Sequence, residues 1–218
     1  MKMLQKILTE LADSQTKLVA VSKTKPVAAI QAMYDEGQRI FGENRVQELV
    51  EKEAALPKDI EWHQIGHLQT NKVKYIAPFV SLIHAVDSFK LLKEINKQAA
   101  KNNRIIDCLL QFHIAQESSK FGFDEVTATE VLSNSAFQQL ANIRIVGVMG
   151  MATFTQDKVQ VKQEFQQLKQ LFDSLKATFF PLDLHFKEIS MGMSGDYKLA
   201  IAEGSTMVRI GSLLFGSR

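Results

Sequence analysis

From one end to the other, the chain alternates short aliphatic, β-branched runs with longer amphipathic stretches. No other feature constrains the fold as strongly. Strands are expected at 17–23, 39–43, 61–66, 81–86, 105–113, 144–149, 183–190 and 208–215. Many are apolar on consecutive residues, as in Leu18-Val19-Ala20-Val21 and Cys108-Leu109-Leu110. Such runs suit a parallel sheet covered on both faces. Helical periodicity fills the gaps at 26–36, 46–55, 70–76, 89–101, 125–134, 158–177 and 197–202. Gly37 is placed to cap the first of these helices. The longest carries Phe165, Leu168, Phe172 and Leu175 as its core stripe.

Eight strands in strict alternation with helices predict an α/β chain folded as a (β/α)₈ TIM barrel, with residues 1–218 as a single domain. The N-terminal stretch, with apolar residues at helical spacing, is expected to cover the bottom or an outer seam. A doubly wound open sheet is the alternative. It usually needs fewer strands, and no Gly-x-Gly-x-x-Gly turn follows the first strand here.

Composition narrows the function classes. With 218 residues, 45% of them hydrophobic, the chain supports one sizeable core. The net charge is +2 with no basic run, so nucleic acid is a poor partner. The apolar runs are too short to span a membrane. The N-terminus is interrupted by charges, unlike a signal peptide. One cysteine, Cys108, sits in an apolar run and reads as core. A lone buried thiol makes no internal disulfide, and a reducing, cytoplasmic location follows.

In a barrel, chemistry collects where strands end at the C-terminal face. Those positions hold Lys23, Asn44, His67, His84, Asp87, His113, Met149, the turn starting at Ser190, and Arg209 with Gly211. Lys23 follows four apolar residues. A partly desolvated lysine amine can form a Schiff base with an aldehyde, whereas one that leaves the sheet into solvent does nothing. The seventh turn, Ser190-Met191-Gly192-Met193-Ser194-Gly195-Asp196, offers backbone donors, a hydroxyl and a helix start, with Ser194 and Asp196 as caps. Arg209-Ile210-Gly211-Ser212 repeats the glycine and hydroxyl, and barrels often bind phosphate between these two loops. Arg209 needs a partner, either an acid such as Glu43 or an acceptor on a ligand. Asn44 reads equally as a turn residue or a ligand contact. His63, His67, His84 and His113 lack zinc-site spacing, so no metal is expected. His185 is placed in the seventh strand, packed or at the surface.

Five motifs in order then carry a resemblance. They are Ala20-Val21-Ser22-Lys23-Thr24-Lys25-Pro26, Phe41-Gly42-Glu43-Asn44, Trp62-His63-x-Ile65-Gly66-x-Leu68-Gln69-x-Asn71-Lys72, Ser190-Met191-Gly192-Met193-Ser194-x-Asp196 and Gly204-Ser205-Thr206-x-Val208-Arg209-Ile210-Gly211. Together they resemble the YggS/PROSC-type pyridoxal 5′-phosphate homeostasis proteins. There are two departures: a shorter N-terminal helical region, and Gly150 where threonine or alanine is expected.

The resemblance implies the barrel half of the alanine-racemase-like fold, with pyridoxal 5′-phosphate (PLP) as cofactor. It implies Lys23 as the Schiff-base lysine and Ser194, Gly211 and Ser212 as the phosphate cradle. Arg209 would partner the pyridine nitrogen, and Asn44 would line the cofactor. It implies a role in PLP homeostasis and cofactor delivery, with apo PLP-dependent enzymes as partners and no catalytic residues. A small PLP-dependent racemase or decarboxylase is the alternative. An arginine at the pyridine nitrogen weakens the ring as an electron sink but does not exclude racemisation. Racemisation needs an acid/base group on each face of the substrate carbon. Lys23 supplies one, and none of Tyr34, Tyr75 and Tyr197 is an obvious second. The expected single domain has no added β-domain to bring one. A sugar-phosphate barrel enzyme without PLP is a third reading.

Overall fold

The structure is a computed structural model and describes residues 3–116 and 121–216. Met1, Lys2 and the last two residues of the expected domain lie outside the described residues. Eight strands alternate with helices in chain order: α1 (Met3–Ala12), β1 (Lys17–Val21), α2 (Val27–Asp35), β2 (Ile40–Glu43), α3 (Val46–Ala55), β3 (Glu61–Gln64), α4 (Val73–Ile76), β4 (Leu82–Val86), α5 (Phe89–Lys101), β5 (Ile106–Phe112), α6 (Glu125–Ser133), α7 (Ser135–Gln138), β6 (Ile143–Gly150), α8 (Lys158–Phe179), β7 (Glu188–Met193), α9 (Tyr197–Ala202), β8 (Met207–Ile210) and α10 (Ser212–Phe215). Each strand pairs in parallel with the next, and β8 pairs with β1, so the sheet closes into the expected TIM barrel.

The two-residue period of a strand builds two cores from one sheet. Val19, Leu82, Ala85, Leu109, Val146, Met149 and Met207 fill the barrel interior. Leu18, Ala20 and Phe41 face outward into the larger shell between strands and helices. Local signals set the helices. Ser88 caps α5 by accepting from Leu91 N, and Leu91, Leu92, Ile95 and Ala99 make its buried stripe. Asp157 caps α8, which buries Val161, Phe165, Leu168 and Leu175. Burying a leucine or phenylalanine fully is worth roughly 1.5–3 kcal/mol. Phe172, expected in that stripe, is only partly buried and stacks on Phe186. Gly37, at φ +103°, ends α2 as expected, its N–H bonding to the Tyr34 carbonyl. α1 lies against α10 and β1, covering the outer seam where the barrel closes. Cys108 is buried, and burial pushes its thiol pKa up. No described helix is long and apolar enough to cross a membrane.

Four strands depart from expectation by two residues or more; the third, expected to Gly66, stops at Gln64. The first strand stops at Val21, and Lys23 stands in the turn beyond it. The seventh spans Glu188–Met193 instead of 183–190. Leu182-Asp183-Leu184-His185 alternates like a strand, but Leu182, Leu184 and His185 are exposed and Asp183 Oδ1 accepts from His185 N at 2.8 Å. His185 is therefore a surface histidine outside the strand. The eighth strand ends at Ile210, and the apolar run after it folds as α10 because Leu214 packs into the outer core. The helix expected at 125–134 forms as α6, and the Asn134 side chain just past it caps a further short helix, α7.

Closure also depends on one glycine. β6 shifts register at Gly147, whose φ is +154°, and a Cβ there would lie 1.8 Å from the Glu188 carbonyl oxygen on β7. Backbone cannot step aside as a side-chain tip can. Gly147→Ala is expected to destabilise the barrel by about 3 kcal/mol, the upper end of overpacking, read as a fall in the denaturation midpoint. Wild-type stability in that variant would contradict this account of the seam.

Candidate functional site

Closing the barrel sets the ends of β7, β8, β1 and β2 side by side. Val21 is in register with Gly42 of β2, and a Cβ on Gly211 would lie 3.3 Å from Val21 Cβ. Lys23, Asn44 and Gly211 therefore share one rim. Lys23 is half-buried in a tight turn, closed by Lys25 N–H donating to the Ser22 carbonyl at 3.0 Å. Lys25 points elsewhere: its ammonium donates to the carbonyls of Phe215 and Gly216 at 3.0 and 3.2 Å.

Arg209 sits deeper, beside Val19 on β1 and Met193 on β7. It is only 4% exposed. Its Nη1 donates to Ser190 O at 2.8 Å and Ser190 Oγ at 2.5 Å, and its Nη2 to Gly150 O at 3.0 Å. Nε makes no hydrogen bond among the described residues. Burial pushes the guanidinium pKa down to about 10, which leaves it charged at neutral pH, and Asp196 opposes the shift. Glu43 is not its partner. It is fully buried on the other face of the sheet, paired with Lys52 at 2.7 Å.

Ser190 extends the contact across the barrel. Its Oγ lies 3.0 Å from His84 Nδ1 on β4, a strand that does not neighbour β7, and His84 Nε2 lies 3.0 Å from His63 Nδ1. Arginine can only donate. The tautomers that satisfy every hydrogen then run one way: arginine to serine, serine to His84, His84 to His63. His84, Ser190 and Arg209, expected at strand ends, thus lie inside strands and form a polar column. Noted in sequence only as a poor metal set, two of the four histidines support the arginine instead. Among the described residues no group of three His, Cys, Asp or Glu side chains could hold a metal. His67 pairs with Asp87 at 2.9 Å, and His113 is exposed just past β5.

The loops after β7 and β8 are tied together. Gly211 N–H donates to Ser194 Oγ at 3.3 Å. Asp196 does not cap α9 with its side chain; its Oδ1 accepts from Met193 N at 2.5 Å, which closes the turn from within. Ser212 is exposed at the start of α10. Asn44 Oδ1 is buried without a hydrogen-bond partner. A cavity of about 450 Å³ opens at the opposite end of the barrel, among Lys17, His63, Asp107 and Glu188, and touches none of the rim residues. Lys17 and Glu188 pair across it at 2.5 Å. That end carries structural ion pairs, and the chemistry-bearing residues gather at the rim.

Known proteins share this sequence pattern and fold. The sequence model of the alanine racemase N-terminal domain matches residues 4–218. The pyridoxal phosphate homeostasis protein of Aquifex aeolicus (strain VF5) is 40% identical over 203 residues, covering 93% of this chain and 87% of that protein. This chain belongs to the pyridoxal phosphate homeostasis protein family. Its relative in Escherichia coli (strain K12) is 38% identical over 205 residues, 92% of this chain and 85% of that one. PipY of Synechococcus elongatus PCC7942, solved without PLP, superposes with a TM-score of 0.91 at 36% identity over 98% of both chains. PipY with PLP bound gives 0.88. Alanine racemase from Bartonella henselae, at 16% identity and TM-score 0.72, shares the fold alone, and this chain spans 57% of its length.

The histidine column predicts an acid sensitivity for this family member. Burial holds His63 at about 3 and His84 well below the ordinary imidazole value. Unfolded histidines protonate near pH 6.5. A lowered folded pKa means that stability is full above that pH and is lost as pH falls toward the folded value. For His63 the loss between pH 7 and 5 is on the order of 2 kcal/mol, and His84 adds to it in the same direction. Glu43 and Asp196, raised by burial, pull the other way. Comparison with His63→Asn/His84→Asn isolates the effect. The variant should lose markedly less stability than the parent over that range in denaturant titrations; parallel curves would show that the pair titrates normally.

Proposed function

We propose that this chain is a carrier of pyridoxal 5′-phosphate, holding it covalently through Lys23 and delivering it to apo PLP-dependent enzymes as part of intracellular, cytoplasmic cofactor homeostasis, without catalytic turnover of its own. The observation that carries the reading is its likeness to PipY, which holds PLP in a barrel superposing at 0.88 over 98% of this chain. The residues present fit such a group. Asn44 Oδ1 is a buried acceptor with no partner, and a Cβ on Gly195 would meet nothing within 4 Å, so the seventh turn leaves room beside Ser194.

Bound PLP supplies a carbonyl and an electron-withdrawing pyridine ring. Lys23 supplies the amine. Ser194, Ser212 and the Gly211 backbone offer hydroxyls and an N–H to the phosphate. Arg209 offers an N–H to the ring nitrogen; as a cation that only donates, it disfavours a proton there and weakens the ring as an electron sink. Asn44 lines the rim beside Lys23. Tyr34 donates to Asp59 at 2.7 Å, Tyr197 donates to Glu10 of α1 at 2.5 Å, and Tyr75 is half-exposed. Tyr34 and Tyr75 sit on helices of the outer layer, and Tyr197, beside the seventh turn, sends its hydroxyl outward to α1, so none of the three hydroxyls is shown facing Lys23 for two-sided proton transfer.

Ser194→Ala with Ser212→Ala should weaken PLP far more than pyridoxal. A hydrogen bond to a charged group is worth roughly 1.5–3 kcal/mol, so the pair amounts to about a hundredfold or more in affinity. Equal weakening of both ligands would move the phosphate elsewhere.

Turnover is tested by incubating the PLP-loaded protein with single-enantiomer amino acids in deuterium oxide. The expected results are no optical inversion at an enzymatic rate and activation of an added apo-enzyme by the transferred cofactor. Deuterium exchange without inversion would fit Lys23 acting on one face. Inversion at roughly 1 s⁻¹ or faster would replace the carrier with a racemase.

A further inference from the structure

The turn that carries Lys23 is strained and gripped from behind. Thr24, which follows Lys23, has φ +64°. A β-branched residue rarely adopts that conformation unless its surroundings enforce it. The enforcing groups come from the outer face of the barrel. Thr24 N–H donates to Glu48 Oε2 of α3 at 2.8 Å. Lys52, four residues along the same helix, donates to the Ser22 carbonyl at 2.9 Å, Glu43 Oε1 at 2.7 Å and Glu48 Oε2 at 3.2 Å. Ser22 Oγ donates to the same Glu43 oxygen at 2.6 Å. The ammonium has three donors, and all are used.

This cluster is poorly built for stability alone. A lysine lies on the buried face of α3, with its side chain 7% exposed, and Glu43 beside it is fully buried with Oε2 left unpartnered. Removing two charges from water is expensive, and buried pairs are often no better than apolar replacements. What the cluster does is fix a backbone. Its hydrogen bonds end on Ser22 and Thr24, the residues on either side of Lys23.

We propose that Glu48 and Lys52, with Glu43, are positioning residues for Lys23: they hold the strained Ser22–Lys25 turn so that the lysine amine is presented to a carbonyl at the barrel rim. The inference rests on the reading of Lys23 as the attachment residue. Lys52 and Glu48 reach the turn from behind the sheet, at Ser22 O and Thr24 N–H, and Glu43 reaches it through Ser22 Oγ.

The test separates presentation of the amine from recognition of the ligand. Pyridoxine 5′-phosphate has the ring and the phosphate but no aldehyde, so its affinity reports recognition only. Glu48→Ala removes the Thr24 anchor and leaves the Lys52–Glu43 pair in place. It should lower covalent attachment of PLP at least tenfold, read by borohydride trapping and mass spectrometry, with pyridoxine 5′-phosphate affinity within about twofold of wild type. Glu48→Gln, which keeps an oxygen for Thr24 N–H, should recover most of the attachment. Lys52→Met, checked for folding by its denaturation midpoint, should show the same split. An unchanged attachment in Glu48→Ala overturns the proposal, as does an equal loss for both ligands, which would mean general damage to the site. If trapping in the unsubstituted protein labels a lysine other than Lys23, the attachment reading falls and the clamp falls with it.

Discussion

Everything that gives this chain a site follows from the pairing of β8 with β1. In an open sheet those strands would be edges far apart, each with a row of unsatisfied backbone groups. Parallel pairing of Lys17–Ala20 with Met207–Ile210 removes both edges. It also brings residues nearly two hundred positions apart onto one rim. Val21, two residues before Lys23, then stands beside Gly211, and Gly211 is tied to Ser194. The site is a consequence of closure more than of any local motif. The apolar interior layer keeps the wall rigid below it, because a filled barrel transmits a misfit directly into its lining.

Arg209 is the costliest group in that interior. An ion buried without a compensating environment loses several kcal/mol. The barrel answers with three carbonyl or hydroxyl contacts, the field of Asp196, and a serine whose own hydrogen is taken up by the His84–His63 pair. Among the described residues no carboxylate is within hydrogen-bond distance of it, and the guanidinium keeps two N–H groups unused, Nε and one on Nη2. Gly150, the departure noted in the sequence, belongs to this arrangement. Its carbonyl receives Arg209, and a Cβ there would lie 2.8 Å from Ile114 Cδ1 and 2.9 Å from Leu168 Cδ2.

The fold was legible because its signal is spread along the chain: eight apolar runs and the spacing between them survive errors at any one boundary. The boundaries that failed share a cause. Leu182-Asp183-Leu184-His185 alternates as a strand does, and Leu213-Leu214-Phe215 is as apolar as one, but tertiary packing decided otherwise in both places. The rim residues were legible because glycine, hydroxyl and lysine are unusual after aliphatic runs. The histidine column was not. His84 and His63 are side chains on strands that meet Arg209 only through the barrel interior, and spacing along the chain carries no trace of a contact across it. The partner of Glu43 was missed for the same kind of reason. Nothing in sequence says that its neighbour is Lys52 of the following helix and not Arg209 of the last strand, although the Glu48–Lys52 spacing of four was visible.

The two-residue period of the strands also divides the labour of the site. Ser22 and Glu43 face outward, whereas Lys23 and Asn44 in register beyond them face the rim. One short stretch of β1 and β2 thus carries its rim-facing groups on one side of the sheet and the Ser22–Glu43–Lys52 cluster on the other. The anchors sit in the helical shell, where α3 supplies Glu48 and Lys52 from a single face one turn apart. Lys23, half-buried, sits on the open side of the sheet. The carrier proposed above would need both properties together: a lysine held in one place to accept the cofactor, and a rim open enough to release it. Anchoring from behind the sheet satisfies the first need without covering the mouth of the barrel.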